Sequence, residues 1–184
     1  MGAAKLSCTE IVGKAIAKRL SSFDVDISYH GRHPQDDAGI PYHDKLEAMA
    51  ASVDVLIAAV PGGAQTEHLV DRKIIDLVGR DGVIINVGRG SVVSEEDLVT
   101  ALAEGTLGAV GLDVFEREPE VNPKLLEHPA SVLLPHVASA SVRTRNAMGQ
   151  LVIDNLLSWF AGKGPLTPVK ESMKMLSASG NQGG

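Results

Sequence analysis

Arg89 stands between Gly88 and Gly90, Glu116 and Glu118 run up to Pro119, and His136 follows Leu133-Leu134-Pro135. A guanidinium anchors an anion, and a histidine with one or two carboxylates nearby can move protons. Each residue also has an ordinary reading. Arg89 could be a turn residue in water, Glu118 a solvated loop acid, and His136 a packed loop histidine. What raises them above these readings is position, because each follows a short apolar run.

Those runs are Val53–Val60, stopped by Pro61-Gly62-Gly63; Val83–Val87, stopped by Gly88-Arg89-Gly90; Ala109–Phe115, followed by Glu116-Arg117-Glu118-Pro119; and Val132–Leu134, stopped by Pro135. Val25, Ile27 and Tyr29 alternate with polar residues as a further strand. Helical spacing marks Gly13–Leu20, Leu46–Ala51, Asp71–Val78, Ser94–Glu104 and Ser141–Ala161. Ser94 heads its helix as an N-cap with acids in the first turn. Strands alternating with helices predict an α/β fold, a Rossmann-like doubly wound parallel sheet with helices on both faces. The runs are nearly continuous in Val and Ile, as when both faces are covered. Ligands of such sheets bind beyond the carboxyl ends of the strands. Arg89, Glu118 and His136 are therefore expected at one edge, from three consecutive strands.

Composition narrows the function classes. Of 184 residues, 44% are hydrophobic, enough for a sizeable core, while aromatics at 3% argue against a base-stacking platform. The net charge of −6 argues against binding a phosphate backbone, so no nucleic acid partner is expected. One cysteine excludes an internal disulfide framework and a Cys-rich zinc site, and the scattered His30, His33, His43, His68 and His128 suggest no metal. The longest apolar run carries Asp54 and is too short to span a membrane. The expectation is a cytoplasmic protein.

Ile84–Val93 (IINVGRGSVV), Gly111–Pro119 (GLDVFEREP) and Leu134–Ser141 (LPHVASAS) resemble the three signature segments of D-isomer-specific 2-hydroxyacid dehydrogenases, and Val60–Thr66 (VPGGAQT) resembles that family's loop of Pro-Leu-Thr type. Within the family the likeness is greatest to glyoxylate/hydroxypyruvate reductases. The resemblance implies hydride transfer between a nicotinamide dinucleotide and a small 2-oxo or 2-hydroxy acid. It implies that Arg89 binds the substrate's carboxylate and keto oxygen and that His136 is the general acid–base. Glu118 would accept from the other ring nitrogen of His136. Asp113 would contact the nicotinamide amide, with Ser139 beside it. Asn86, Val87 and Gly88 would line the cofactor cleft, with Val60, Pro61 and Thr66 in the adjoining loop. The family is dimeric.

Two places concern the cofactor's phosphates. In dinucleotide folds an acid ending the second strand takes the ribose 2′-hydroxyl. Here His30-Gly31-Arg32-His33 offers Arg32, which suits a 2′-phosphate, so NADP(H) is expected over NAD(H). The first turn should read G-x-G-x-x-G, yet only Gly13 survives, with Cys8 and Glu10 at the other glycine positions. A carboxylate at Glu10 about 4 Å from the pyrophosphate would repel it by roughly 4 kcal/mol at an effective dielectric near 20. The resulting division is a divergent segment 1–12, a dinucleotide-binding domain 13–168 and a disordered tail 169–184. The family's substrate domain, built from sequence ahead of the first strand, has no counterpart in these residues. An N-terminally truncated, poorly active enzyme is therefore expected, with an inactive dinucleotide-fold binding module as the alternative.

Overall fold

The structure is a computed structural model that describes residues 4–8, 12–35, 39–169 and 172–173, the first of these as backbone. Glu10 and Ser177–Gly184 lie outside the described residues. The chain divides into two compact units, residues 1–136 and 137–184.

The first unit is a seven-stranded sheet: β1 (Ala4–Cys8), β2 (Tyr29–His30), β3 (Tyr42–His43), β4 (Val55–Ala59), β5 (Val83–Asn86), β6 (Ala109–Leu112) and β7 (Ser131–Leu133). All pairings are parallel and the spatial order is β3-β2-β1-β4-β5-β6-β7. The order reverses between β1 and β4, which makes that crevice the topological switch point. The doubly wound expectation is met. β1 takes the central place even though Ala3–Cys8 lacks a Val/Ile run. Its partners align it, from Ala4 opposite Val55 to Cys8 opposite Ala59.

Between the strands run α1 (Val12–Leu20), α2 (Leu46–Ala50), α3 (Arg72–Val78), α4 (Glu95–Glu104) and α5 (Pro123–Glu127). Alternating strand residues divide between two cores, as a period of two requires. Leu56, Ala58 and Ile84 join Met49, Ile75, Leu98, Val110 and Leu125 in the larger one. Ile57 packs with Ala17 of α1, with Ile85 and Val87 against them, in the smaller. Side-chain caps start three helices: Asp71 accepts from the Ile74 amide, Ser94 from the Asp97 amide and Asn122 from the Lys124 amide.

Several boundaries differ from the sequence expectation. The strand expected over Val25–Tyr29 is Tyr29–His30, because a 3₁₀ turn at Ser21–Phe23 and a left-handed Asp24 (φ 53°) delay entry into the sheet. β3 is only two residues long, too short to show a period. α5 was not anticipated, although Asn122 and Pro123 carry its capping signal. The strand expected over Ala109–Phe115 ends at Leu112, and Asp113–Phe115 follow it as a loop.

In the second unit, α6 (Val142–Phe160) is capped by Ser141, which accepts from the Thr144 amide. Asn155 pins the returning chain, accepting from the amides of Leu166 and Thr167. No helix among the described residues is long and apolar enough to cross a membrane.

Candidate active site

Arg89 is held by the end of β5. Asn86 is buried, and its side chain spans the loop: Oδ1 accepts from the Gly88 amide (3.0 Å) while Nδ2 donates to the Arg89 carbonyl (2.9 Å). The flanking glycines allow close approach of backbone. A Cβ on Gly88 would lie 2.5 Å from the Val60 carbonyl oxygen, and one on Gly90 would lie 1.9 Å from that of Phe115. The loop therefore wedges between the ends of β4 and β6, and the exposed Arg89 side chain is presented at the strand edge. Its Nη1 donates to the Gly88 carbonyl (2.7 Å).

Glu118 and His136 meet at the same edge. His136 Nδ1 lies 2.8 Å from Glu118 Oε2, while Glu118 Oε1 accepts from the Phe115 amide at 3.1 Å. An acceptor-only carboxylate facing Nδ1 assigns the proton to that nitrogen and leaves Nε2 for chemistry. The bond to His136 holds the Glu118 carboxyl below the ordinary carboxylate range; the Phe115 amide and the nearby positive charge of Arg89 add to it. His136 takes φ 53°, a left-handed conformation in which backbone strain is concentrated at functional positions. The Leu134 amide bonds to the Leu112 carbonyl (2.8 Å), fixing the chain just ahead of it to β6.

The two glutamates after β6 have separate roles. Glu116 Oε1 accepts from the Glu95 amide (2.8 Å), and Glu95 Oε1 accepts from the Glu116 amide (2.6 Å). Glu116 also meets His68 Nε2 at 3.2 Å. Burial pushes the Glu95 carboxyl upward, and the charge of Glu116 adds to the rise. His68, Glu95 and the Glu116 latch were not legible as such in the sequence. Only the placing of Glu116 one residue after the signature Phe115 marked it out.

A cavity of about 540 Å³ opens at the ends of β2, β3 and β4. Arg32, Val60, Pro61 and Thr66 line it, as do Gly62 and Asp44. Thr66 closes its loop by donating to the Pro61 carbonyl (2.7 Å). Arg32 is exposed at the rim formed where Tyr42 donates to the Gly31 carbonyl (3.0 Å) and His30 bonds to the His43 carbonyl (2.9 Å). Tyr42 and Asp44 were missed because β3 was. Val87 follows β5, its amide bonded to the Ala58 carbonyl (3.0 Å), and the buried Asp113 follows β6, its amide bonded to the Asn86 carbonyl (3.0 Å). Gly13 is buried in the first turn of α1. Ser139 belongs to the second unit, in the turn closed by the bond from the Ala140 amide to the Val137 carbonyl. Among the described residues no His, Cys, Asp and Glu cluster could hold a metal.

The arrangement suits a dinucleotide. An open, glycine-flanked cavity with a cationic rim lies at the strand ends on the side of the switch point, and an anion anchor with a proton-transfer pair lies on the neighbouring strands.

Comparison with known proteins agrees. The family described as D-isomer specific 2-hydroxyacid dehydrogenase, NAD binding domain, matches residues 9–138. The 2-ketogluconate reductase of Gluconobacter oxydans is 44% identical over 158 residues, 86% of this chain and 51% of that protein. The hydroxyphenylpyruvate reductase of Plectranthus scutellarioides is 47% identical over 86% of this chain and 50% of its own length. Among solved structures, the NADPH-dependent glyoxylate/hydroxypyruvate reductase of Sinorhizobium meliloti, crystallised with NADP and malonate, matches with a TM-score of 0.89 at 51% identity, over 93% of this chain and 54% of that one. The chain thus spans about half the length of the curated relatives it matches. With a doubly wound fold and a family match running over most of its length, the chain belongs to the D-isomer-specific 2-hydroxyacid dehydrogenases, through their NAD-binding domain.

Proposed function

We propose that this chain binds NADP(H) and serves reduction of a small 2-oxo acid, such as glyoxylate or hydroxypyruvate, to the 2-hydroxy acid. The observation that carries the reading is the 2.8 Å contact between His136 and Glu118 at the edge where Arg89 is presented. When bound, the dinucleotide supplies the hydride. Arg89 pairs its planar fork with the substrate carboxylate and polarises the keto oxygen. His136 gives the proton from Nε2 to that oxygen, while Nδ1 remains bonded to Glu118. Glu118 stabilises the imidazolium before transfer and prevents the ring from turning. Gly88, Val87, Asn86 and Asp113 shape the floor for the nicotinamide, and Gly13 completes the cofactor contacts. Val60, Pro61 and Thr66 face the adenosine side.

Arg32 supports the choice of NADP(H), since a guanidinium at the cavity rim favours a 2′-phosphate. Asp44 lines the same cavity and opposes it, so the preference is a balance that Arg32 decides. The S. meliloti reductase with NADP in its crystals is consistent with that choice.

Fluorescence titration should give tighter binding of NADPH than of NADH, and Arg32→Ala should remove most of the difference. Equal affinities in the unaltered chain would refute the NADP(H) assignment. Turnover is measured in the chain itself and in a fusion behind the N-terminal half of the S. meliloti reductase. His136→Ala should lower kcat in the active form by about 10²–10⁴-fold, the range of general acid–base catalysis, with nucleotide affinity unchanged. Undiminished turnover by that variant would overturn the assignment. Nucleotide binding with no turnover in either form would favour a binding module.

A further inference from the structure

Three loops must keep register for the proposed chemistry: the one after β4 with Thr66, the one after β5 with Arg89, and the one after β6 with Glu118. Backbone bonds join the first two. The His68 amide donates to the Ser91 carbonyl (2.8 Å), the Val70 amide to the Val92 carbonyl (3.0 Å) and the Ser94 amide to the Val70 carbonyl (3.1 Å). The third loop is tied to both through Glu116. Its Oε1 takes the Glu95 amide at the head of α4 and lies 3.2 Å from His68 Nε2, while its own amide is held by Glu95. Glu116 is adjacent to Phe115, whose amide holds Glu118.

This latch places two carboxylates together in a partly buried setting, an electrostatically costly way to join loops. An amide side chain could accept the same backbone bond without the repulsion. What the charge adds is its attraction for His68, and with it the tie to the β4 loop.

We propose that Glu116 is a positioning residue for proton transfer: by engaging His68 and the Glu95 amide at once, it fixes the loop on which Glu118 meets His136. The proposal rests on the reading of Glu118 and His136 as the proton-transfer pair. It predicts that loosening Glu116 releases Glu118 from the Phe115 amide and from His136 without altering the nucleotide cavity.

The test uses the full chain carrying Glu116→Ala, Glu116→Gln or His68→Ala, with two readouts. The first needs no turnover. Carbon-detected NMR follows the titration of the Glu118 carboxyl, and amide NMR follows Phe115. In the unaltered chain Glu118 should titrate below the ordinary carboxylate range, as its bond to His136 requires. In Glu116→Ala it should move up toward that range, with faster hydrogen exchange at Phe115. Glu116→Gln and His68→Ala should show smaller shifts in the same direction. The second readout is kinetic, in whichever form turns over: Glu116→Ala should reduce kcat roughly 10–100-fold, as small misplacements of reacting groups do, with KM and the NADPH Kd unchanged. Glu116→Gln should recover most of the loss. His68 is half exposed, so His68→Ala preserves the test if Glu116→Ala fails to fold. A folded Glu116→Ala or His68→Ala chain whose Glu118 titration and Phe115 exchange match the unaltered chain would overturn the proposal. Absence of turnover in both the chain and the fusion would count against the enzymatic reading and leave the NMR result decisive for the latch.

Discussion

Gly90→Ala should damage the site from a position that carries no chemistry. The added Cβ would lie 1.9 Å from the Phe115 carbonyl oxygen, 2.0 Å from its carbon and 2.5 Å from the Glu116 amide nitrogen, all backbone atoms. Restoring ordinary contact requires a displacement of roughly 1.5 Å. That displacement falls on the segment whose amides hold Glu118 and Glu95, at 3.1 and 2.6 Å. Overpacking costs about 1–3 kcal/mol, and hydrogen bonds to charged groups contribute about 1.5–3 kcal/mol each. Partial relaxation sets the expected loss at about 3–5 kcal/mol, with Tm falling roughly 2–4 °C per kcal/mol for a chain of this size. Gly111→Ala is the control, because its Cβ would meet Ile85 at an ordinary 3.5 Å. It should be neutral or stabilising by up to about 1 kcal/mol through the unfolded chain. Urea titration of both variants, followed by a probe in the first unit, provides the assay. A Gly90→Ala chain within about 1 kcal/mol of the unaltered protein would refute the close packing of the β5 loop against Phe115.

Asn86→Ala removes a buried bridge and leaves the Gly88 amide without its acceptor; a loss of about 2–3 kcal/mol is expected in urea titration, with the m-value unchanged. Glu95 has its carboxyl raised, so its charge opposes folding above the folded pKa, and the penalty is relieved as pH falls through that value toward the unfolded one near 4.5. Glu95→Gln keeps an acceptor for the Glu116 amide. It should stabilise the fold at pH 7 by about 0.5–1 kcal/mol, a gain that shrinks as the pH is lowered toward 4.5, whereas Glu95→Ala should destabilise throughout. Glu118 has the opposite sign. Its carboxyl is lowered, so its stabilisation is present above pH 4.5 and lost as the pH falls through its folded value. Both partners are substantially exposed, so Glu118→Gln should cost under about 1 kcal/mol at pH 7, and the two chains should converge in acid unfolding curves.

Much of the fold was legible because its central elements are long and periodic. β4, β5 and β6 show as Val/Ile runs since both faces of the sheet are buried, and α4 is announced by Ser94 and its acids. Arg89, Glu118 and His136 could be placed at one edge because parallel strands joined by right-handed crossovers must present their ends together. The elements that escaped were short. β3 has two residues, and it is a strand only because the Tyr29 amide finds the Pro41 carbonyl and β2 lies beside it. No local pattern encodes that pairing. β1 has little strand signal of its own, and its place comes from alignment along β4.

Residue type and order along the chain limit which side chains could act. A guanidinium between glycines, a carboxylate before proline and a histidine after a strand are chemical facts of the chain, and the strand–helix alternation orders them along one edge. How they act together comes from the three-dimensional fold. It separated Glu118, bonded to His136, from Glu116, bonded across to Glu95 and His68, although the two are one residue apart and alike in type. It also turned Asn86 inward as a brace and placed Asp44 in the cavity with Arg32. Such assignments depend on distances between segments far apart in the chain, here Glu95 to Glu116 and Glu118 to His136, and hydrogen bonds form over about 3 Å, a range that sequence spacing does not specify.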